Sequence, residues 1–470
     1  VNAPKHRPYS PKKRQATLRK LPKRGGLRWL WVLFGLTGIA LLSATAGALL
    51  AVSLASTPLM QRKLSPADAS VFSKGDRISK SSNLQMPSLT RPVNILLLGA
   101  KVLTTDMQNP PPELSKLHYQ ALVNSFEGLT DTMLLLRFNP DAKKLIVLSV
   151  PRDTRTAIPG HGVAKINEAN ADGGPALAAR ATSDLLGGVG IDRYVTINVQ
   201  GVQALVDALG GVTVFVPKDM KYRDDSQHLY VNLKAGKQHL NGNQALQLLR
   251  FRYDEYGDIG RIQRQQMLMR ALMEQALSPM TIARLPKILS VIQSHVDTNL
   301  SVEELVALVG FAAKTNRSNV QMLMVPGDFS TPGQYDASYW LPNYKRIEAM
   351  VGQYFGATIG SAVPSSPGSV RISIQNSTRQ DSAARALISQ LRSAGYGNVA
   401  IDKPYSEPLS VTRIVAQQGD AESAAAIHRA IGIGEVRIES TGDLGSDITI
   451  QVGQDWLQNS SFNTNKPGAL

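Results

Sequence analysis

The sequence of 470 residues contains no cysteine. That excludes a small disulfide-stapled fold and fits an oxidising compartment in which nothing is cross-linked. It also lacks a P-loop, an HExxH zinc site, a G-x-S-x-G nucleophile elbow, a dinucleotide fingerprint and internal repeats. The seven histidines are scattered, which argues for structural or solvent-facing places rather than a catalytic cluster. What is present is 43% hydrophobic residues, enough for two or three domain cores and too little for a multi-span membrane protein.

Residues 1–28 carry no acidic side chain but ten Lys/Arg, two-thirds of the net charge of +15. A basic total of that size invites a nucleic-acid reading. The next stretch supplies a different cause. Residues 29–61 hold no charge, and Trp29–Ala55 is apolar and longer than the ~20 residues a bilayer-spanning helix requires. Trp29 and Trp31 sit at its basic end, where interfacial aromatics are expected. The positive-inside rule then predicts a basic cytoplasmic arm (1–28), a single transmembrane anchor (29–55), an extracytoplasmic remainder and no nucleic-acid partner. A cleaved signal peptide is the competing reading, but its apolar core spans only ~7–15 residues, about half of what stands here.

Residues 56–90 are rich in Ser, Pro and Lys without sustained periodicity and read as a stalk. Three apolar runs follow: 93–99, 132–138 and 144–150. Continuous rather than alternating apolarity predicts strands buried on both faces, the centre of a three-layer α/β/α domain. A helix-like insertion is expected within 110–128 and a loop at 159–162. Further elements are a helix at 175–186, a strand at 194–199, a helix at 202–209 and a strand at 212–216. Helices dominate from 243 to about 355, broken by a strand at 320–325. We assign 91–360 to this domain and 361–369 to a linker. Residues 370–455 read as a small α+β domain. Merging its last two short strands gives a β-α-β-β-α-β order, a split βαβ pattern. The polar tail, 456–470, is expected to be disordered.

Residues 249–270 are the most informative. Read as a helix from Asp258, the segment gathers Leu268, Met269, Leu272 and Ala276 on one inward stripe. Arg261, Gln265 and Asp258 fall on that same stripe, whereas Gln263, Gln266, Arg270 and Glu274 occupy the opposite, polar face. A guanidinium aimed inward needs an anionic partner. An internal Arg–Asp salt bridge would suffice for one arginine. Arg250 and Arg252 lie just upstream, and R-x-R in an extended segment places both on one face. Several arginines converging on one carboxylate leave positive charge that a phosphate or pyrophosphate matches. Arg152 and Asp153 follow the apolar strand 144–150, at the carboxyl end where open α/β sheets bind ligands. Asp131 stands at the start of another central strand.

The segments RPVNILLLG, TDTM, SVPRDTRTAIPGHGVAKINEAN, DALGGVTVFVP, LNGNQALQLLRFR and GDIGRIQRQQ occur in this order over 91–270. Together they resemble the LytR-CpsA-Psr family of bacterial cell-wall enzymes, and 370–455 resembles the accessory LytR C-terminal domain. The resemblance implies a phosphotransferase on the outer face of the cytoplasmic membrane. Such an enzyme moves a glycopolymer from a polyprenyl pyrophosphate carrier to peptidoglycan through a phosphodiester. It further implies that Arg152, Arg250, Arg252, Arg261 and Gln265 bind pyrophosphate, that Asp131 helps hold Mg²⁺, and that Asp258 is another acidic residue of the metal site. Asp131 and Asp153 both stay open as the catalytic base.

One position departs from the family pattern. Many members read G-x-D after the first strand, and that Asp is the other metal ligand; here the segment is Gly99-Ala-Lys101. Lys101 would neutralise pyrophosphate directly, Asp106 would supply the missing carboxylate, or metal binding would be weakened. Two other readings stay open: a polyprenyl pyrophosphatase using the same residues with water as acceptor, and a non-catalytic, membrane-tethered wall-binding or regulatory protein.

Overall fold

The computed structural model describes residues 63–72, 76–80, 86–101, 126–225, 229–251, 257–278, 280–356 and 366–458. The chain divides into two units, Val1–Ala55 and Ser56–Leu470. The first, with the expected basic arm and anchor, lies outside the described residues, as do most of the 110–128 insertion and most of the 361–369 linker. No described helix is long and apolar enough to cross a membrane.

The three apolar runs become β1 (Val93–Lys101), β2 (Leu129–Asn139) and β3 (Lys144–Val150), paired antiparallel in chain order. A small hairpin follows, β4 (Arg155–Ile158) and β5 (Gly162–Lys165), then α1 (Ala169–Leu185). The backbone of α1 is non-helical at Gly173 and Gly174, so Pro175 opens its regular part, a position Pro favours. Next come β6 (Arg193–Ile197), α2 (Val199–Ala208, capped by Asn198) and β7 (Val212–Val216). Three further strands follow: β8 (Met220–Asp224), β9 (Leu229–Leu233) and β10 (Gly236–Leu240). They form ribbons, β8 with β9 and β10 with β7.

Helices α3 (Gly242–Arg250), α4 (Gly257–Ala276) and α5 (Leu285–His295) lead to β11 (Val296–Thr298). Then come α6 (Val302–Ala313), β12 (Val320–Met324), the hairpin β13 (Gly327–Phe329) and β14 (Trp340–Pro342), and α7 (Tyr344–Phe355). The central sheet runs β11-β6-β1-β2-β3-β12, with β6 parallel to β1 and β12 parallel to β3.

The sheet is buried on both faces although its middle strands are antiparallel, a pairing that often leaves one face wet. Leu96, Leu98, Met133, Leu135 and Leu148 pack with residues of α1 and α7. Alternate residues Ile95, Leu134, Leu145 and Val147 turn the other way, toward Leu305 and Leu308 of α6. Residues 63–72 and 76–80 are not a free stalk: Phe72 and Ile78 are buried, and Phe72 lies 5.1 Å from the Tyr194 ring. Arg250 is the last residue of α3, not part of an extended R-x-R. Asn241 and Gln244 form a capping box that starts the helix at Gly242, and extended backbone begins only at Phe251.

The C-terminal unit contains β15 (Ile372–Asn376), α8 (Asp381–Ser393), β16 (Val399–Ile401), β17 (Arg413–Ala416) and α9 (Ala421–Ile431). It closes with β18 (Glu435–Arg437), β19 (Ile448–Val452) and α10 (Gln454–Gln458). Its sheet order is β16-β15-β19-β17-β18. The last two strands are therefore not one interrupted element: β18 lies at an edge beside β17, and β19 sits between β15 and β17. The residues between them leave this sheet for the edge of the other one. The Met322 amide of β12 donates to the Ile438 carbonyl at 2.8 Å, so the C-terminal unit covers an edge that would otherwise expose unpaired backbone groups.

Leu444 is buried against Met324 and Trp340. Asp447 is hydrogen-bonded by Arg346 at 2.9 Å and by the Arg371 guanidinium at 3.0 Å. Burial pushes the Asp447 carboxyl up, but Arg371 and Arg346 outweigh it and hold the group below the usual carboxylate range. The expected disordered tail starts too early at 456: Trp456 is fully buried in the C-terminal core.

Candidate active site at the end of the third strand

Strand β3 ends at Val150, and a tight turn follows. The Thr154 amide and hydroxyl both donate to the Pro151 carbonyl, at 3.0 and 2.6 Å. The Asn167 amide donates to the Arg152 carbonyl, and the Trp340 amide to the Asp153 carbonyl. Arg152 and Asp153 are thus fixed at the turn's tip without any bond from their own side chains.

Asp131 reaches the same place by a different device. The β1–β2 register shifts between Gly99 and Ala100: Gly99 lies opposite Thr132, and Ala100 opposite Thr130. Asp131 is the extra residue of this β-bulge, and bulges re-aim side chains. A Cβ on Gly99 would lie 3.1 Å from Cβ of Thr132, so the close strand approach there favours glycine.

Arg152 Nη1 donates to Asp131 Oδ1 at 2.5 Å, and its Nε donates to Asp153 Oδ2 at 3.2 Å. Lys165 Nζ donates to Asp153 Oδ1 at 2.8 Å. The side chains of these four residues keep between 18% and 27% exposure, so the cluster is part-buried rather than sealed in the core. Gln265 Nε2 donates to the Asp131 carbonyl at 3.3 Å, tying α4 to the bulge.

Asp131, Arg152 and Gln265 also line a cavity of about 290 Å³. The rest of that cavity is mostly hydrocarbon: Leu97, Leu134 and Val147 from the sheet face Leu268, Met269 and Leu272 of α4. An apolar slot with a few convergent polar groups at one place is the usual form of a ligand site. Its charged part suits an anion, and its apolar part suits a chain.

The LytR_cpsA_psr family model matches residues 63–355. The chain belongs to the LytR-CpsA-Psr family. A second model, described as LytR cell envelope-related transcriptional attenuator, matches residues 369–456. Among relatives, polyisoprenyl-teichoic acid–peptidoglycan teichoic acid transferase TagU of Oceanobacillus iheyensis is 33% identical over 249 residues, 51% of this chain and 68% of that protein. The corresponding transferase TagV of Bacillus subtilis is 28% identical over 298 residues, 62% of this chain and 71% of that protein. Regulatory protein MsrR of Staphylococcus aureus is 36% identical over 176 residues, 37% of this chain; the match spans about half of that protein, 52%. The crystal structure of B. subtilis TagV matches with a TM-score of 0.47 at 26% identity, covering 57% of this chain and 98% of that one.

In this LytR-CpsA-Psr chain, Arg152, Asp131, Asp153 and Gln265 lie together. Lys101 ends β1 opposite Leu129, and Asp258 and Arg261 lie in the first two turns of α4; the side chains of all three are outside the described atoms. Arg252 and Asp106 lie outside the described residues altogether.

Two residues escaped the sequence reading. Lys165 joins the cluster because the β4–β5 hairpin pairs it with Arg155, bringing the chain back beside Asp153. Its ammonium also lies 5.4 Å from the Tyr339 ring, and the Arg155 guanidinium lies 4.9 Å from Tyr335. Arg264 is the described buried arginine of α4, donating to the Phe251 carbonyl at 2.5 Å. Helical periodicity could have found Arg264, one step round from Arg261; nothing local announces Lys165.

The face of α4 read as polar and opposite the core is largely covered. Gln266 is buried, Gln263 donates to the Gly442 carbonyl at 3.4 Å, and Arg270 lies 3.7 Å from Glu439. A second domain, not solvent, meets this face.

Proposed function

We propose that this protein transfers a glycopolymer from a polyprenyl pyrophosphate carrier to peptidoglycan, releasing polyprenyl phosphate. The observation that carries the reading is the Arg152–Asp131 cluster opening onto an apolar cavity, since a lipid-linked pyrophosphate is an anion joined to a hydrocarbon chain. TagU and TagV, its relatives, are named for transfer of this kind.

An acceptor hydroxyl on the peptidoglycan sugar attacks the sugar-side phosphorus and passes its proton to one of the two carboxylates beside Arg152, Asp131 or Asp153. The bond from that phosphorus to the bridging oxygen breaks, and the negative charge passes to the departing polyprenyl phosphate. Arg152 is placed to stabilise that charge, because its fork of donors matches phosphate oxygens. Asp131 and Asp153 hold the guanidinium from two sides, and Lys165 holds Asp153 in turn. This ordering fixes Arg152 before substrate arrives, as positioning of a charged donor requires. Arg250, Arg252 and Arg261 are proposed to share the pyrophosphate with it.

Among the described residues no group of three or more His, Cys, Asp or Glu could hold a metal ion. A magnesium ion bound with a pyrophosphate needs only one or two protein carboxylates, and the part-exposed Asp131 carboxylate fits that smaller demand; Asp258 is proposed as the second. Mg²⁺ would neutralise charge on the pyrophosphate. We place the catalytic domain outside the cytoplasmic membrane on a single anchor at 29–55, with the N-terminus inside.

The test is turnover of lipid-linked glycopolymer with and without peptidoglycan fragments. Polyprenyl phosphate should be released much faster with the fragments present, and EDTA should slow that release about ten-fold or more, as expected when charge neutralisation by a metal is lost. Equal release without fragments would identify a pyrophosphatase instead. Undiminished turnover in EDTA would remove the metal from the account.

A further inference from the structure

We propose that the C-terminal unit supplies part of the wall of the lipid-binding cavity, through Ser440 and Thr441; this rests on the reading of that cavity as the carrier's site. Both residues line the cavity alongside Met322, Leu323 and Gln266. They belong to the segment between β18 and β19 that leaves its own sheet for the edge of β12. That segment is anchored at several points. The Met322 amide donates to Ile438, Gln263 donates to Gly442, and Leu444 is buried beside Met324 and Trp340. Farther out, the Tyr354 hydroxyl donates to the Gly419 carbonyl at 2.7 Å, and Arg371 bridges Asp447 and Asp328.

The polar atoms of the two wall residues are spoken for. Ser440 Oγ donates to the Gln417 carbonyl at 2.9 Å, and Thr441 Oγ1 donates to Glu439 at 3.3 Å. They therefore add surface to the cavity without adding hydroxyls that a hydrocarbon chain would have to desolvate. Nearby, the Gln266 side-chain oxygen is buried without a described hydrogen bond, so this corner keeps one polar atom in the otherwise apolar part of the slot. The site is thus composite: the sheet and α4 provide most of it, and a separate domain provides one side.

The absence of native cysteine provides a direct test. Thr441→Cys puts the chain's single thiol on the proposed wall, and Val411→Cys puts one on the exposed surface of the same unit, where Val411 is 47% exposed. The rate of reaction with a water-soluble maleimide is measured for the full chain, with and without long-chain polyprenyl phosphate at saturation. Binding of that lipid is titrated separately on the same samples. The thiol at 441 should react about ten-fold or more slowly with lipid bound, as expected for a ligand that occupies the site nearly completely. The thiol at 411 should react at one rate throughout. Lipid bound with no protection at 441 would overturn the composite wall alone. Failure of the unsubstituted chain to bind the lipid would overturn the parent reading, and this inference with it.

Discussion

Arg152→Ala should lower kcat/KM for transfer by about 10³-fold or more, the scale of loss when a charged donor to a transferring phosphoryl group is removed. The fold should survive. The turn that carries Arg152 is held by backbone hydrogen bonds from Thr154, Asn167 and Trp340, none of which uses the guanidinium. Asp153 keeps Lys165 as a partner, and Asp131 is exposed enough for water to solvate it. Arg152→Lys should lose most of the activity as well, because an ammonium cannot reach Asp131, Asp153 and a phosphate with a planar fork. Thermal melting beside steady-state kinetics separates the effects. Full activity in the alanine variant would remove Arg152 from the mechanism.

The second large effect concerns stability. Trp456 is fully buried in the C-terminal core, and its indole N–H donates to the Ala383 carbonyl at 3.0 Å. Trp456→Ala should cost about 3–5 kcal/mol, from lost burial, the cavity left behind and a carbonyl left unpaired. A loss of that size is a large fraction of the stability of a small domain. The C-terminal unit should then unfold at clearly lower denaturant, with protease cutting first within 370–458. Trp456→Phe should retain much of the burial and lose less. An unchanged midpoint for the alanine variant would mean that the helix at 454–458 does not hold the domain.

Much of the fold was legible because its signals are local. Three apolar runs were read as strands and became the centre of the sheet; β7, α9 and β19 lie where expected, and the strand at 212–216 follows paired glycines that end a helix. The mistakes share a cause, since each required knowing what lies across space. β18 and β19 read as one element because nothing in residues 438–447 reveals that they serve another sheet's edge. Trp456 reads as part of a tail because polar neighbours surround it in sequence, although it is buried in the core that α8 helps to form. Strands β8 and β10 are too polar to stand out by periodicity, whereas β9 carries an alternating signal in Leu229, Val231 and Leu233 over only five residues.

The site shows the same division. Arg152 and Asp153 are placed by the end of an apolar strand, and Gln265 by the inward stripe of α4, both local signals. Lys165 depends on hairpin register. The outer face of α4 carries Gln263, Gln266 and Arg270, a pattern that reads as solvated. It is instead where the C-terminal unit docks, and polar residues suit such an interface between domains.

The central claim is a transfer that keeps one phosphorus with the sugar. The most direct measurement places a radioactive label on the sugar-side phosphorus of a polyprenyl pyrophosphate-linked glycopolymer and follows it through one reaction with peptidoglycan fragments. The account predicts that the label becomes covalently bound to peptidoglycan while unlabelled polyprenyl phosphate is released. Label released as soluble glycopolymer phosphate, with none on peptidoglycan, would contradict it.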